Sequence, residues 1–467
     1  MRGTGRLTAL VAVTAVVVGG HTAAAHAATL GYDDEGDIVY AAAPGEANDL
    51  RVEKGVDAFT FTDPGAVITA VAPDCIAVTP TTARCTPRQR FAQLVELRLG
   101  DGDDRAVSLR APQTLEGSVL PYTGLHVHAG DGHDVVETDD FAILHGDPGD
   151  DRLLGTSLAS AHGDAGDDLV RGCLANGGDG DDTMDVRGFD CHAIPGPGAD
   201  TFVATSASRA HLSYAGETAP VSITLDGRRN DRPDGQDDVG PGFATIVGGA
   251  AADRLEGGPG ADGLFGGGGD DVLLGHGGDD ALGGGAGDDV ASGGPGADRV
   301  GGNTAGRDVL DGGPGANRIG GGGTGAIDVA SYADRTAPVR VTAEPWDFLA
   351  PSAGDDGEAG EGDTVLGAEE VLGGAGADVL VGSREGEALI GGDGDDALQG
   401  GDGADRLDGG AGADGLQGGA GDDELHTRDK TRDVVGCGDG ADAGTADGRD
   451  DVARDCEAVR FGGPAPA

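Results

Sequence analysis

The sequence is poor in the groups from which an ordinary globular core is built. Aromatic residues make up 3% of 467, with a single Trp, and Met occurs twice. That scarcity argues against a conventional large core. Basic residues are also few: 31 Lys plus Arg stand against 83 Asp plus Glu, for a formal net charge of −52. So acidic a chain repels phosphate, which argues against nucleic acid and anionic membrane as partners and in favour of cations. Signatures of catalysis are missing as well. There is no H-E-x-x-H, no G-x-S-x-G and no EF-hand loop pattern, and the nearest nucleophile elbow, "GTSLA" at 155–159, lacks its final Gly. No C-x-x-C pair suggests zinc, and beyond residue 28 no apolar run is long enough to span a bilayer.

What is present begins with a leader-like segment. Arg2 and Arg6 flank the start of an apolar run, Leu7 to Val18, and Ala25-His26-Ala27 has the form of a cleavage site. Residues 1–28 therefore read as a secretory signal, and the expectation is a secreted, extracellular chain. In an oxidising compartment the six cysteines become three disulfides. Sequence alone leaves several connectivities open, and local spacing favours Cys75–Cys85, Cys173–Cys191 and Cys437–Cys456.

Glycine is abundant, at 93 residues, and it is not scattered. Cut every nine residues from Gly248, the chain reads GGAAADRLE, GGPGADGLF, GGGGDDVLL, GHGGDDALG, GGAGDDVAS, GGPGADRVG. The sixth place is always Asp: Asp253, Asp262, Asp271, Asp280, Asp289 and Asp298. The eighth place is Leu, Ala or Val. A second array starts at Gly373, with Asp378, Glu387, Asp396, Asp405, Asp414 and Asp423 in the sixth places. A disordered acidic tract has no reason to keep such phase. Between the arrays the register falters. GNTAGRDVLD carries one extra residue and shifts Asp308, and GGPGANRIG puts Asn317 in the acidic place. Both changes are expected to weaken or end the first array.

These blocks resemble the RTX nonapeptide G-G-x-G-x-D-x-U-x, with U a large apolar residue, of hemolysin-type calcium-binding proteins. The resemblance implies an all-β fold, a right-handed parallel β-roll or β-solenoid, in which six residues turn and hold Ca2+ and three form a strand. The residue types agree with that picture. Gly lets the backbone take positive φ and approach a cation closely, and Ca2+ takes six to eight oxygens from carboxylates and carbonyls. Two blocks make one coil, so Asp253, Asp271 and Asp289 share one edge and Asp262, Asp280 and Asp298 the other. Calcium ions, several of them, are expected between stacked turns: 253/271, 262/280, 271/289 and 280/298, with four further pairs in the second array. One buried aliphatic residue per block returns less than ordering nine residues costs, and stacked carboxylates repel one another. A chain that folds on binding calcium is the expectation.

The remaining chain is read as follows. Residues 29–98 alternate apolar and polar residues and form a small N-terminal β domain or cap. Residues 99–203 hold looser repeats whose sixth places are Asp104, Asp134, Asp151, Asp168, Asp182 and Asp200, weaker candidates for calcium. Cys173 and Cys191 are one coil apart, as a covalent staple in place of a calcium site would be. Residues 204–247 and 321–372 are β-rich segments, the latter with an acidic loop, flanking the arrays at 248–320 and 373–426. "SYAGETAPVSIT" (213–224) and "SYADRTAPVRVT" (331–342) duplicate one another, so both segments extend the solenoid. Residues 427–467 break the period and read as a disulfide-bearing C-terminal cap. His126, His128, His133 and Asp134 raise a transition-metal site, against the plainer reading of a strand running into a repeat. The whole reads as a secreted, non-enzymatic calcium-binding protein. The alternative is an extracellular adhesin or matrix component stiffened by calcium, with cell-envelope or polysaccharide surfaces as partners. A hydrolase with an unrecognised site comes third.

Overall fold

A computed structural model describes residues 27–55, 58–87, 94–110, 124–139, 141–204, 209–225, 237–240, 242–322, 327–344, 356–359 and 361–461. The expected leader lies outside these residues except for Ala27 and Ala28, which open the first strand, Ala27–Tyr32. The described chain is an all-β parallel solenoid of about 17 turns, without a helix among the described residues. Its strands fall into four sheets. Sheet I has 16 strands, sheet II has 11, sheet III has 12 and sheet IV has 7. Through most of the described chain successive strands alternate between two sheets, so each coil contributes one strand to either side of a flattened roll.

In the arrays the coil repeats every 18 residues. Gly263–Gly268 pairs in parallel with Ala281–Ala286, and Arg254–Glu256 with Val272–Leu274, each at that offset. The eighth-place residues stack into interior columns. Leu264, Leu282, Val300 and Ile319 line sheet I, and Leu255, Leu273, Ala291 and Leu310 line sheet III, none more than 4% exposed. Each column is one residue wide, so a coil buries little apolar area on its own and relies on its neighbours. The turns need glycine where the backbone crosses to positive φ, as at Gly267 (φ 106°) and Gly269 (φ 109°). A Cβ at Gly267 would also stand 2.4 Å from the Gly249 carbonyl oxygen of the coil before it. Stacked turns leave no room for a side chain there.

The roll changes faces twice, and each change falls on one copy of the duplicated segment. Sheet III begins at Ser222–Thr224, while sheet II ends at Asp238–Val239. Sheet IV takes in Val339–Thr342, while sheet I ends at Thr364–Leu366. Both changes share one device. Tyr214 and Tyr332, each 1% exposed, donate their hydroxyls to Asp237 Oδ2 (3.0 Å) and Asp363 Oδ2 (3.1 Å). Near the N-terminus Tyr40 does the same to Asp63 (2.8 Å). There, antiparallel strands (Phe59–Thr62, Cys75–Thr79, Thr82–Cys85) close sheet II.

Three disulfides are formed: Cys75–Cys85, Cys173–Cys191 and Cys437–Cys456. Cys173 and Cys191 stand on adjacent coils with Cα atoms 4.6 Å apart. They immediately precede the paired strands Leu174–Asp179 and His192–Ile194 of sheet I. Followed along the sheet, that register leads to the place occupied by Asp262 in the first array. The N-terminal half of sheet I fills this column with Ala159, Cys173, Cys191 and Ala210, where the array has carboxylates.

Candidate metal centre

The sixth-place carboxylates form ladders along the edges of the roll. In each rung one carboxylate oxygen reaches back to the preceding coil. Asp253 N–H donates to Asp271 Oδ1 (2.7 Å), Asp271 N–H to Asp289 Oδ1 (2.8 Å) and Asp289 N–H to Asp308 Oδ1 (2.9 Å). On the opposite edge Asp262 donates to Asp280, and Asp280 to Asp298, both at 2.8 Å. In the second array Asp378, Asp396 and Asp414 form one ladder, and Glu387, Asp405 and Asp423 the other. The two edges are those the 18-residue alternation assigns.

The other oxygen is the informative one. Oδ2 of Asp271, Asp280, Asp289, Asp298, Asp396, Asp405, Asp414 and Asp423 is buried without a hydrogen-bond partner. So is Oδ2 of Asp104, Asp134, Asp151, Asp168 and Asp182 in the looser repeats. Buried polar atoms are normally satisfied, and a repeated orphan in a repeated position asks for a ligand. What surrounds it is oxygen. A Cβ built on Gly266 would meet Asp271 Oδ2 at 2.1 Å and the Gly284 carbonyl oxygen of the next coil at 2.7 Å. At Gly275 the neighbours are Asp280 Oδ2 (2.5 Å) and Gly293 O (2.6 Å), and at Gly391 they are Asp396 Oδ2 (2.3 Å) and Gly409 O (2.5 Å). Carboxylate and main-chain carbonyl oxygens from two coils thus converge on a cradle that only glycine leaves open. Hard divalent cations choose such donors, and the residues present fit calcium. Among the described residues no group of three or more His, Cys, Asp or Glu side chains forms a side-chain-only metal cluster. The backbone has to supply the balance.

Electrostatics agree. Burial, followed by the neighbouring carboxylates, pushes Asp271 up to about 7 and Asp280 up to about 6, against a lowering contribution from the backbone hydrogen bond. Asp134 is raised to about 7, Asp168 to about 8 and Glu387 to about 7, with burial the main cause in each. A buried row of anions without counter-charge is an unfavourable arrangement that a cation relieves.

The first member of each ladder differs. Asp253, Asp262 and Asp378 close Oδ2 onto the amides of Gly249, Gly258 and Gly374 at 2.6–2.7 Å. Glu387 closes onto the Ser383 amide and hydroxyl. The interior rungs carry the open oxygens. Asp200, the last of the weaker candidates, donates its N–H to Asp237 Oδ1 and so ends the sheet II ladder beneath Tyr214.

Neither break in phase ends the first array's ladder. The extra residue before Asp308 does not interrupt the ladder, because it is absorbed as a register shift opposite Gly285/Ala286, with Asn303 at φ 86°. Asn317 does not interrupt it either. Its Oδ1 accepts from Asp298 N–H (2.9 Å), and its Nδ2 donates to the Gly313 carbonyl (2.7 Å). A carboxamide supplies its own donor where the carboxylate leaves an orphan, so the ladder persists while its charge lapses.

Sequence reasoning missed other members. Asp433 and Asp442 continue the ladders into the C-terminal stretch, accepting from Asp414 (2.9 Å) and Asp423 (3.0 Å), and both leave Oδ2 unpartnered. Their offset is 19, which the strict nine-residue phase passed over. An outer ladder was missed as well. Fifth-place Asp270, Asp279 and Asp288 accept the amides of Asp288, Ala297 and Arg307. The repeated Asp-Asp doublets were its signal. The proposed histidine grouping is not brought together. His133 lies on this outer ladder, its Nδ1 accepting from Asp150 N–H (2.9 Å), and Asp134 is an inner rung, whereas His126 and His128 lie on the face of sheet I.

Comparison with known families decides the nature of the arrays. The family described as RTX calcium-binding nonapeptide repeat (4 copies) matches residues 239–273, 247–282, 274–304, 304–324, 363–384 and 390–425. The arrays are RTX calcium-binding repeats. Comparison with curated proteins gives no match. The RTX match covers both ladders of the first array and most of the second, and it ends short of the N-terminal half, where the acidic rungs Asp104 to Asp200 lie on sheet II and the matching column of sheet I holds Ala159, Cys173, Cys191 and Ala210.

Proposed function

We propose that this is a secreted, non-enzymatic RTX protein whose coils bind calcium between successive turns and fold as they do so. The observation that carries the reading is the buried, unpartnered Oδ2 repeated at eight rungs of the two arrays, facing a main-chain carbonyl of the adjacent coil at Asp271, Asp280 and Asp396. Calcium, when bound, supplies positive charge and demands a shell of six to eight oxygens. The chain's own part is to hold those oxygens. Oδ1 is tied to the preceding coil, which fixes the carboxylate plane, and the glycine at place one leaves the cradle open. Without the cation, the same arrangement stacks anions at the spacing of adjacent strands. Folding and binding are therefore coupled. The non-enzymatic part of the reading rests on the missing catalytic signatures, and secretion rests on the leader pattern and the three disulfides.

The test is equilibrium dialysis with radioactive calcium on the oxidised mature chain. Several ions per molecule, lost stepwise as interior rungs are changed to Asn, support the proposal. Binding that ignores such changes defeats it. An adhesin role would show as calcium-dependent pull-down on cell envelopes or polysaccharide.

A further inference from the structure

The acidic ladders leave one cluster unexplained. Of 11 histidines, seven fall between residues 126 and 211. Alternation along Leu125–His128 buries Leu125 and Val127 and turns His126 and His128 to the outer face of sheet I. Parallel pairing sets His128 beside His145, and His145 beside His162. The ring centroids of His126, His128 and His145 form a triangle with sides of 4.8, 4.9 and 5.5 Å. Three imidazoles sharing one ion at N–metal distances of about 2.1 Å have ring centres roughly 5 Å apart.

We propose that His126, His128 and His145 form a site for one borderline divalent transition-metal ion, with Zn2+ as the type, separate from the calcium ladders. As they stand, the rings of His128 and His145 stack, at 7° between planes, rather than converge. Capture requires the rings to turn about χ2, and side-chain exposures of 39% and 27% leave them room.

Three features of the surroundings point to a ligand. His126 Nε2 is buried and has no hydrogen-bond partner. Asp147 Oδ2 lies 3.7 Å from His128 Nδ1, and Asp164 Oδ2 lies 3.5 Å from His145 Nδ1. Carboxylates within ion-pair distance of the far nitrogen of two neighbouring imidazoles favour ring orientations that leave Nε2 for the ion. Lastly, Asp147 and Asp164 sit at φ 63° and 76°, at the second place of their blocks, where most array blocks have glycine and one has His276 at φ 68°. Non-glycine residues held in the left-handed region commonly mark function. Imidazole nitrogen is the donor that zinc-like ions select and calcium does not, so the two kinds of site are chemically distinct.

The test is calorimetric titration of the full oxidised chain with Zn2+ in saturating calcium, alongside His126→Asn, His128→Asn and, as control, His211→Asn. His211 pairs with His192 (4.7 Å) further along the same face, with its Nε2 already held by Asp190 (2.7 Å). One Zn2+ per chain is expected, weakened roughly tenfold or more by either of the first two changes and unmoved by the third. Zn2+ binding that survives both changes assigns the ion to the carboxylates and overturns the proposal, as does absence of binding. Co2+ on the unaltered chain gives a reading independent of mutant folding. Visible bands of nitrogen-bound Co2+, displaced by Zn2+, support the site, and an aqua-ion spectrum refutes it.

Discussion

Asp271→Asn should have opposite effects on the metal-free and metal-bound protein. Oδ1 of Asp271 accepts from Asp253 N–H (2.7 Å), and Oδ2 is buried without a partner. The substituted carboxamide keeps the first contact. What its nitrogen does is visible at Asn317, where Nδ2 donates to carbonyls of its own turn. The change therefore removes a buried anion and satisfies the atom that was left open. In the metal-free fold Asp271 is raised to about 7, chiefly by burial. About three units at ~1.4 kcal/mol each set an upper bound of about 4 kcal/mol for the penalty lifted at pH 7.5. Water entering the turn reduces that to about 1–3 kcal/mol. The calcium-bound fold, by contrast, loses an anionic ligand shared by the 253/271 and 271/289 turns. The assay has two arms: far-UV circular dichroism in chelator with an osmolyte series to bring the metal-free fold into range, and calcium calorimetry. The variant should need less osmolyte to fold and should bind calcium more weakly. A variant that is less stable in chelator, or that binds calcium as before, would refute the argument.

Other consequences follow from the same structure. Burial raises carboxylates of these ladders in the metal-free fold, Asp280 to about 6, Asp134 to about 7 and Asp168 to about 8, so the fold binds more protons than the unfolded chain. Their penalty is absent below the unfolded value near 4 and grows as pH rises through 6–8, so β signal in chelator should increase as pH falls from about 8 to 5 while calcium affinity weakens; a flat profile contradicts this. Asn317→Asp should restore charge to the sheet I ladder, adding calcium capacity in dialysis and lowering metal-free stability. Replacing Cys173 and Cys191 by Ser opens an 18-residue loop and should cost about 3 kcal/mol in the N-terminal half, read by urea unfolding in calcium.

The nine-residue phase made the arrays legible because their coil length is constant. Asp271 and Asp289 could be paired from spacing alone, and the hydrogen bond between them follows that spacing. Legibility fell where coil length drifts. In the N-terminal half successive rungs lie 30, 17, 17, 14 and 18 residues apart, from Asp104 through Asp200, and only stacking reveals a single ladder. The same drift concealed Asp433 and Asp442. Asn317 misled for another reason: composition records a lost charge, whereas geometry records a carboxamide meeting the same amide. The Tyr–Asp contacts at 40/63, 214/237 and 332/363 span 23, 23 and 31 residues, outside the nine-residue phase, and no local pattern joins their ends. The histidine triangle required knowing that residues 128 and 145 are neighbours across a sheet.

The central claim is that calcium completes the fold, and one titration tests it most directly. The oxidised mature chain would be followed by far-UV circular dichroism as calcium is raised from chelated conditions, over a range reaching about 10⁻³ M. The account predicts a cooperative rise in β signal, reversed by chelator and not reproduced by magnesium. A spectrum already fully β in chelator, and unchanged by calcium, would contradict it and leave the disulfides and aliphatic columns as what holds the roll.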